Sequence, residues 1–170
     1  MRFIQFLILL LFSFEAQAFS SIKLDKNVED IYSKQNVKPL KAKDGALSWE
    51  FFAKTKEIEK CGIDKDGFDY CLIKPIYSTA IKALDNKEVV LMGFMFPLEQ
   101  SEKQKNFLLG PYPASCPFHY HSNQAQIVEV LTLEPIKFSY DPIKLKGTLS
   151  VKYNEETGIF YYLKNAKIIK

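Results

Sequence analysis

Arginine is almost absent from this sequence. Of the 170 residues Arg2 is the one arginine, and every other cation of the chain is a lysine. Guanidinium groups are the usual means of holding phosphate with two parallel hydrogen bonds. The net charge is only +3, and the lysines are scattered among acidic residues. This composition argues against a nucleic-acid-binding surface, so we expect no nucleic-acid partner.

Several signatures of common enzyme classes are also missing. The sequence contains no glycine-rich phosphate loop, no G-x-S-x-G nucleophile elbow and no paired carboxylates at a recognisable spacing. Beyond residue 18, no apolar run approaches the roughly 20 residues that a membrane-spanning helix needs. The sequence therefore predicts a mature chain without a membrane span, and it identifies no reaction.

The first eighteen residues have the pattern of a secretory signal peptide. A positive start at Arg2 precedes an apolar run over residues 3–14, and residues 16–18 read Ala-Gln-Ala, the small-x-small pattern of a cleavage site. The apolar run is too short for a membrane anchor. No cysteine follows it, which excludes a lipid anchor on a cleaved N-terminal cysteine. We expect cleavage after Ala18 and a periplasmic location.

The rest of the chain divides into an arm and one domain. Residues 19–45 are polar and interrupted by Pro39 and Gly45, so we expect an N-terminal arm there and a single domain over 46–170. At the start of that domain Ser48 is a candidate N-cap for a short helix that extends to about Lys60.

Cys61 and Cys71 bracket a turn sequence. Between them Asp66-Gly67 is a strong hairpin dipeptide, which predicts two strands that bring the cysteines together. A calcium loop is excluded, because the first and twelfth ligand positions hold glycine and isoleucine. We expect a Cys61–Cys71 disulfide, which would stabilise the fold by about 3 kcal/mol. The alternative, in which one of the two pairs with Cys116, stays open.

From Glu88 onward the sequence predicts strands. Gly93 interrupts the first of them and indicates a bend, as where one long strand serves two sides of a barrel. A mostly β chain of about five strands with one short helix favours a small, closed, OB-like barrel, with an open sandwich as the alternative. The predicted strand segments are 89–96, 107–109, 127–133, 149–153 and 159–169.

Both histidines and the third cysteine fall within six residues. Cys116, His119 and His121 offer a thiolate and two imidazoles, a ligand set that suits zinc or copper. A fourth ligand could be Cys61 or Cys71, Glu99, or water. Two other interpretations are available: the cluster is a packed aromatic loop, or Cys116 is a nucleophile activated by histidine.

Four segments together resemble the domain of unknown function 3299 family: residues 88–99 (EVVLMGFMFPLE), 107–109 (FLL), 115–118 (SCPF) and 127–130 (IVEV). The resemblance extends over about residues 49–169. It implies a small exported or lipid-anchored bacterial protein with a compact, barrel-like fold, and it implies a transporter or another cell-envelope protein as partner.

Relatives in that family commonly carry Cys-x-x-Cys or Cys-x-His in the cysteine loop. Here the loop reads Cys116-Pro-Phe-His119, so an imidazole stands where the first pattern has a second thiol. This departure keeps metal ligation and removes a dithiol redox pair.

We therefore expect an exported, soluble binding or accessory protein that holds zinc or copper through Cys116, His119 and His121. The first alternative is a structural or interaction module of a cell-envelope complex that binds no metal. A metal- or cysteine-dependent enzyme is less favoured, with Glu99 and Glu129 as candidate bases. The sequence does not determine the oligomeric state.

Overall fold

The computed structural model describes residues 39–43, 45–113 and 124–170. In chain order these ranges contain α1 (Trp49–Ala53), β1 (Lys56–Ile63), β2 (Asp69–Ile76), α2 (Thr79–Lys82), β3 (Glu88–Pro97), β4 (Lys103–Gly110), a 3-10 turn (Gln124–Gln126), β5 (Val128–Lys137), β6 (Ile143–Val151) and β7 (Tyr161–Ile168). No helix in the described ranges is long and apolar enough to cross a membrane.

The helix after Ser48 is shorter than the sequence predicts. The Ser48 side chain accepts a hydrogen bond from the Glu50 N–H at 3.2 Å, so the predicted cap is confirmed. The helix ends at Ala53, however, and the expected extension to Lys60 is wrong. Residues from Lys56 onward pair with β2 instead, because a distant segment satisfies their backbone groups.

β1 and β2 form a separate antiparallel hairpin in which Cys61 lies directly opposite Cys71, and the two are joined by a disulfide. The turn is closed by Asp64, whose side chain accepts the N–H groups of Asp66 and Phe68, each at 2.9 Å. Gly67 adopts φ +87°, which explains the Asp-Gly dipeptide at this turn. The predicted hairpin and disulfide are confirmed.

The other five strands form a closed barrel in the order β3-β4-β5-β7-β6, and β6 pairs back to β3. All neighbours are antiparallel except β5 and β7, which are parallel. This closure and strand order confirm the predicted OB-like barrel and exclude the open sandwich.

Gly93 marks the point where β3 passes from one neighbour to the other. Residues 88–93 pair with β6, and residues 94–97 pair with β4. A Cβ atom on Gly93 would lie 2.8 Å from the carbonyl oxygen of Gly110, too close for any side chain. The bend predicted from this glycine is confirmed.

The inward faces of the strands make one apolar core, and α1 packs against it. Trp49 is buried and donates its ring N–H to the Met92 carbonyl at 2.8 Å, while Phe52 meets the edge of Tyr161 at 4.9 Å between ring centroids. Core side chains of the barrel strands are Leu91, Met95, Phe107, Leu109, Val128, Val130, Leu145, Leu149 and Leu163.

Candidate functional site

Cys116, His119 and His121 lie outside the described residues, within the segment 114–123 that connects β4 to the 3-10 turn. What the structure gives is the surroundings of both attachment points of that segment. Both lie at the end of the barrel where β4 and β6 finish and β5 and β7 begin. The described residues that flank the three predicted ligands in the chain are therefore at this end of the barrel.

The first attachment point follows β4. Pro111 is buried, and its carbonyl oxygen accepts the N–H of Leu40 at 2.9 Å. The preceding residue, Gly110, pairs with Phe94 on β3. The chain thus leaves the barrel from a backbone that is held on two sides.

The second attachment point is the 3-10 turn. Ala125 is fully buried, and its N–H donates to Oε1 of Glu57 on β1 at 2.8 Å. The amide nitrogen Nε2 of Gln124 lies so close to Gly158 that a Cβ atom there would be 3.0 Å away. The hairpin therefore holds the chain where it returns through a hydrogen bond, and the β6–β7 connection lies against it.

The structure shows where the protein residues suggested as a fourth ligand lie. Cys61 and Cys71 share a disulfide, so neither sulfur is a thiolate. Glu99 lies in the β3–β4 turn, where its backbone groups bond to the Gln104 side chain at 3.4 Å and 3.0 Å. The eight residues of β4 place that turn roughly 25 Å from Gly110.

Two other carboxylates lie near the attachment points. Glu57 contacts Ala125, as described, and Glu50 lines a cleft of about 440 Å³ together with Gln126 and Leu40. The sequence alone did not indicate either carboxylate. Glu57 and Ala125, for example, are 68 positions apart in the chain. No local pattern signals such a contact.

One further grouping of metal-ligating residue types occurs in the described ranges. The ligand atoms of Glu59, Cys61 and Cys71 all lie within 4.8 Å of one another on the exposed hairpin. Because both sulfurs are held in the disulfide, this grouping offers one carboxylate and no thiolate. It is not a metal centre in its oxidised form.

Among the candidate bases, Glu129 has a defined setting. It is half-buried on the outer face of β5, and its Oε1 accepts the side-chain N–H of Asn106 at 2.9 Å. It lines a groove of about 590 Å³ with Leu131, Tyr162 and the segment 152–156. This groove is distinct from the cleft at Glu50.

Burial raises the pKa of two tyrosines at the same end of the barrel. Burial raises the pKa of Tyr161 to about 12, although its hydrogen bond with Thr55 acts in the opposite direction. Burial also raises the pKa of Tyr77, which donates its hydroxyl to the Phe160 carbonyl at 2.9 Å. Both hydroxyls serve structure, since each already has a protein partner.

Residues 28–170 match the model of a family described as "Protein of unknown function (DUF3299)". The chain belongs to this family. A crystal structure of a DUF3299 family protein from Pseudomonas aeruginosa PAO1 is 28% identical, with a TM-score of 0.47, and the match covers 57% of this chain and 68% of that chain. No curated protein matches this chain significantly.

Family membership confirms the resemblance seen in the sequence. A family of unknown function supplies no reaction, ligand or partner. What this DUF3299 chain does must therefore be argued from its own residues.

Proposed function

We propose that this DUF3299 protein is an exported accessory protein that holds one transition-metal ion, zinc or copper, on the segment 114–123. The proposed ligands are Cys116, His119 and His121, a set of one soft and two borderline donors. Three protein ligands leave the fourth position to water, to a nearby carboxylate or to a partner, as in sites that exchange their ion.

The observation that carries the proposal is the Cys61–Cys71 disulfide. It uses two of the three cysteines in the chain, so Cys116 has no cysteine partner within the molecule. In an oxidising compartment a leftover thiol is reactive unless it is committed to a ligand. The only two histidines of the protein follow it within five positions.

Two further observations support this reading. The described residues on both sides of segment 114–123 are held by other parts of the chain, Pro111 by a hydrogen bond from Leu40 and Ala125 by a hydrogen bond to Glu57 on the hairpin. A metal site on an anchored segment loses less conformational entropy when the ion binds. The carboxylates of Glu50 and Glu57 lie beside these attachment points and are candidates for the fourth ligand or for orienting an imidazole.

Export is part of the same proposal. Disulfides persist in oxidising compartments, which agrees with a signal peptide cleaved after Ala18 and a periplasmic mature protein. The proposed partner is a transporter or another cell-envelope protein that delivers or receives the ion.

The test uses the precursor expressed with its own N-terminus and purified after export, without chelator or added metal. Native mass spectrometry and metal analysis should find about one zinc or copper ion per chain. The variant His119→Ala/His121→Ala should lose the ion and keep its circular dichroism spectrum. The variant Cys61→Ser/Cys71→Ser is the matched control, since it removes the two cysteines that the proposal does not assign as ligands, and it should keep the ion.

A parent protein that stays metal-free when zinc or copper is offered would overturn the metal proposal. The same mass measurement checks export, because a chain that begins at Phe19 is the expected product. A chain that retains residues 1–18 would contradict cleavage after Ala18.

A second candidate function is an interaction module that docks to a cell-envelope protein through the hairpin. Ile63 and Phe68 at its tip are each 70% exposed, which is unusual for side chains of this size. A photo-crosslinking amino acid that replaces Phe68 should form a crosslink to one cell-envelope protein. The same amino acid in place of the exposed Glu134 on the barrel should form none. Equal crosslinking at both positions, or none, would contradict this function.

A further inference from the structure

The described residues that line the groove beside Glu129 lie on β5, on β7 and in the connection between β6 and β7. The groove lies along the seam of the two parallel barrel strands, where Glu129 on β5 pairs with Tyr162 on β7. The segment 152–156, which connects β6 to β7, forms the facing wall. Its volume of about 590 Å³ falls in the range of small-molecule sites, roughly 300–1,000 Å³.

The wall of the groove is held in place by its own hydrogen bonds. The Asn154 side chain accepts the Glu156 N–H at 3.0 Å, and the Asn154 carbonyl accepts the Gly158 N–H at 2.9 Å. Glu155 is fixed by an ion pair of 3.1 Å to Lys74 on the hairpin. A ligand would therefore meet a preformed wall, which lowers the entropy lost on binding.

The floor combines an apolar surface with an oriented carboxylate. Leu131 is 40% exposed, and the half-buried ring of Tyr162 lies beside it on the next strand. Glu129 is held by the Asn106 amide at 2.9 Å, which fixes where its carboxylate can accept hydrogen bonds.

The charged side chains that line the groove limit the class of ligand that it can bind. Lys152 and Lys164 stand against Glu129, Glu155 and Glu156, so the lining carries charges of both signs with one carboxylate in excess. A polyanion would meet three carboxylates and no guanidinium group, which disfavours nucleic acid. A purely apolar ligand would leave these charges desolvated and unpaired.

We propose that this groove binds a neutral oligosaccharide, with a sugar ring stacked on Tyr162 and its hydroxyl groups hydrogen-bonded to Glu129 and Lys164. Sugar rings present apolar C–H faces to aromatic side chains and donor and acceptor hydroxyls at their edges. The groove offers both kinds of surface within one preformed space.

The test is a titration of the ¹⁵N-labelled full mature protein with cellotetraose and, separately, with triacetylchitotriose. Saturable shifts of amide resonances should be confined to residues 129–131, 152–156 and 162–164. Tyr162→Ala and Glu129→Gln should each weaken binding about tenfold or more. Tyr140→Ala is the matched control, since that ring is 84% exposed outside the groove and its loss should leave affinity unchanged.

Glu129→Gln guards against misfolding, because it keeps the size of the side chain. Absence of saturable shifts with both oligosaccharides up to about 10 mM would overturn the proposal, since weaker binding has little meaning. Equal shifts with a hexathymidylate would also overturn it, because that outcome assigns the groove to single-stranded nucleic acid. None of these outcomes depends on metal at segment 114–123.

Discussion

The barrel and the β1–β2 hairpin belong to one chain but are held together differently. In the barrel, Leu145, Leu149 and Leu163 are fully buried on strands that alternate inward and outward. In the hairpin, none of the eight residues of β1 or the eight of β2 is buried. The barrel is stabilised by burial, whereas the hairpin depends on its disulfide, its turn and its attachment to the barrel.

Two hydroxyl groups at the base of the hairpin make part of that attachment, in addition to the Glu57–Ala125 hydrogen bond and the Lys74–Glu155 ion pair. Thr55, directly before β1, shares a buried hydrogen bond with the Tyr161 hydroxyl. Tyr77, directly after β2, donates to the Phe160 carbonyl at 2.9 Å, and its ring lies 5.7 Å from that of Tyr161. Both strands of the hairpin are thus tied to the start of β7.

The largest effect that should separate the two regions is the loss of a phenylalanine ring. Phe107→Ala in the barrel core should lower the free energy of unfolding by about 3–5 kcal/mol, because the ring is fully buried and a cavity remains. Phe68→Ala at the hairpin tip should change it by about 0.5 kcal/mol or less, since that ring is 70% exposed. Urea unfolding followed by circular dichroism measures both. Similar losses for the two variants would show that the hairpin tip is packed in solution.

Removing the disulfide should affect mainly the hairpin. A crosslink that spans 10 positions contributes on the order of 3 kcal/mol in the chain-entropy view. In Cys61→Ser/Cys71→Ser we expect amide hydrogen exchange in β1 and β2 to accelerate roughly a hundredfold, because no buried side chains hold these strands. Amides of β6 and β7 should change much less. Equal acceleration in both regions would show that hairpin and barrel unfold as one unit.

Adding a methyl group to a glycine should give a smaller difference in stability between the barrel and the hairpin. Gly93→Ala should destabilise the barrel by about 1–3 kcal/mol, because the new Cβ would meet the Gly110 carbonyl oxygen at 2.8 Å, and backbone there cannot easily move. In Gly62→Ala on the hairpin the nearest atom is the Tyr70 hydroxyl oxygen at 3.2 Å, at the end of a side chain that is 43% exposed. That ring can turn aside, so we expect an effect within about 0.5 kcal/mol. Thermal unfolding of both variants checks the contrast, and a Gly93→Ala protein as stable as the parent would contradict it.

Features that depend on neighbouring residues could be predicted from the sequence. The Asp66-Gly67 turn and the bend at Gly93 follow from backbone conformations that few other residues allow. The alternation in residues 149–153 predicted a strand; residues 149–151 are the end of β6, and 152–153 lie in the connection to β7. Strand count and closure followed from these local signals.

Features that depend on distant contacts could not be predicted. The helical spacing at Trp49, Phe52 and Lys56 extended the predicted helix beyond Ala53, because nothing local reveals that Lys56 pairs with Ile76. The four-residue helix α2 is too short for a periodic pattern, although Ser78 caps it. At the candidate site, the contact between Glu57 and Ala125 exists only once the hairpin docks on the barrel.

The smallest expected effect concerns the hydroxyl that joins hairpin to barrel. Tyr161→Phe should lower the free energy of unfolding at neutral pH by about 1 kcal/mol, because the buried Thr55 hydroxyl loses its partner. Thr55→Val/Tyr161→Phe should recover part of that loss, since no hydroxyl is then left unpaired. Tyr140→Phe, on a ring that is 84% exposed, should follow the parent.

The same variant should alter the response to alkaline pH. Burial raises the pKa of Tyr161 from 10.0 in the unfolded chain to about 12 in the folded one, so the folded state keeps its proton longer. The stability from this difference is fully present below about pH 10 and is lost as the pH rises through about 12. Parent protein should therefore lose stability across this window, and Tyr161→Phe should lose less. Tyr77, whose pKa is raised by burial, and Lys74, whose pKa is raised by its hydrogen bond to Glu155, contribute to the remainder. Urea unfolding at several pH values measures the slopes, and identical slopes for parent and variant would show that Tyr161 ionises without loosening the joint between hairpin and barrel.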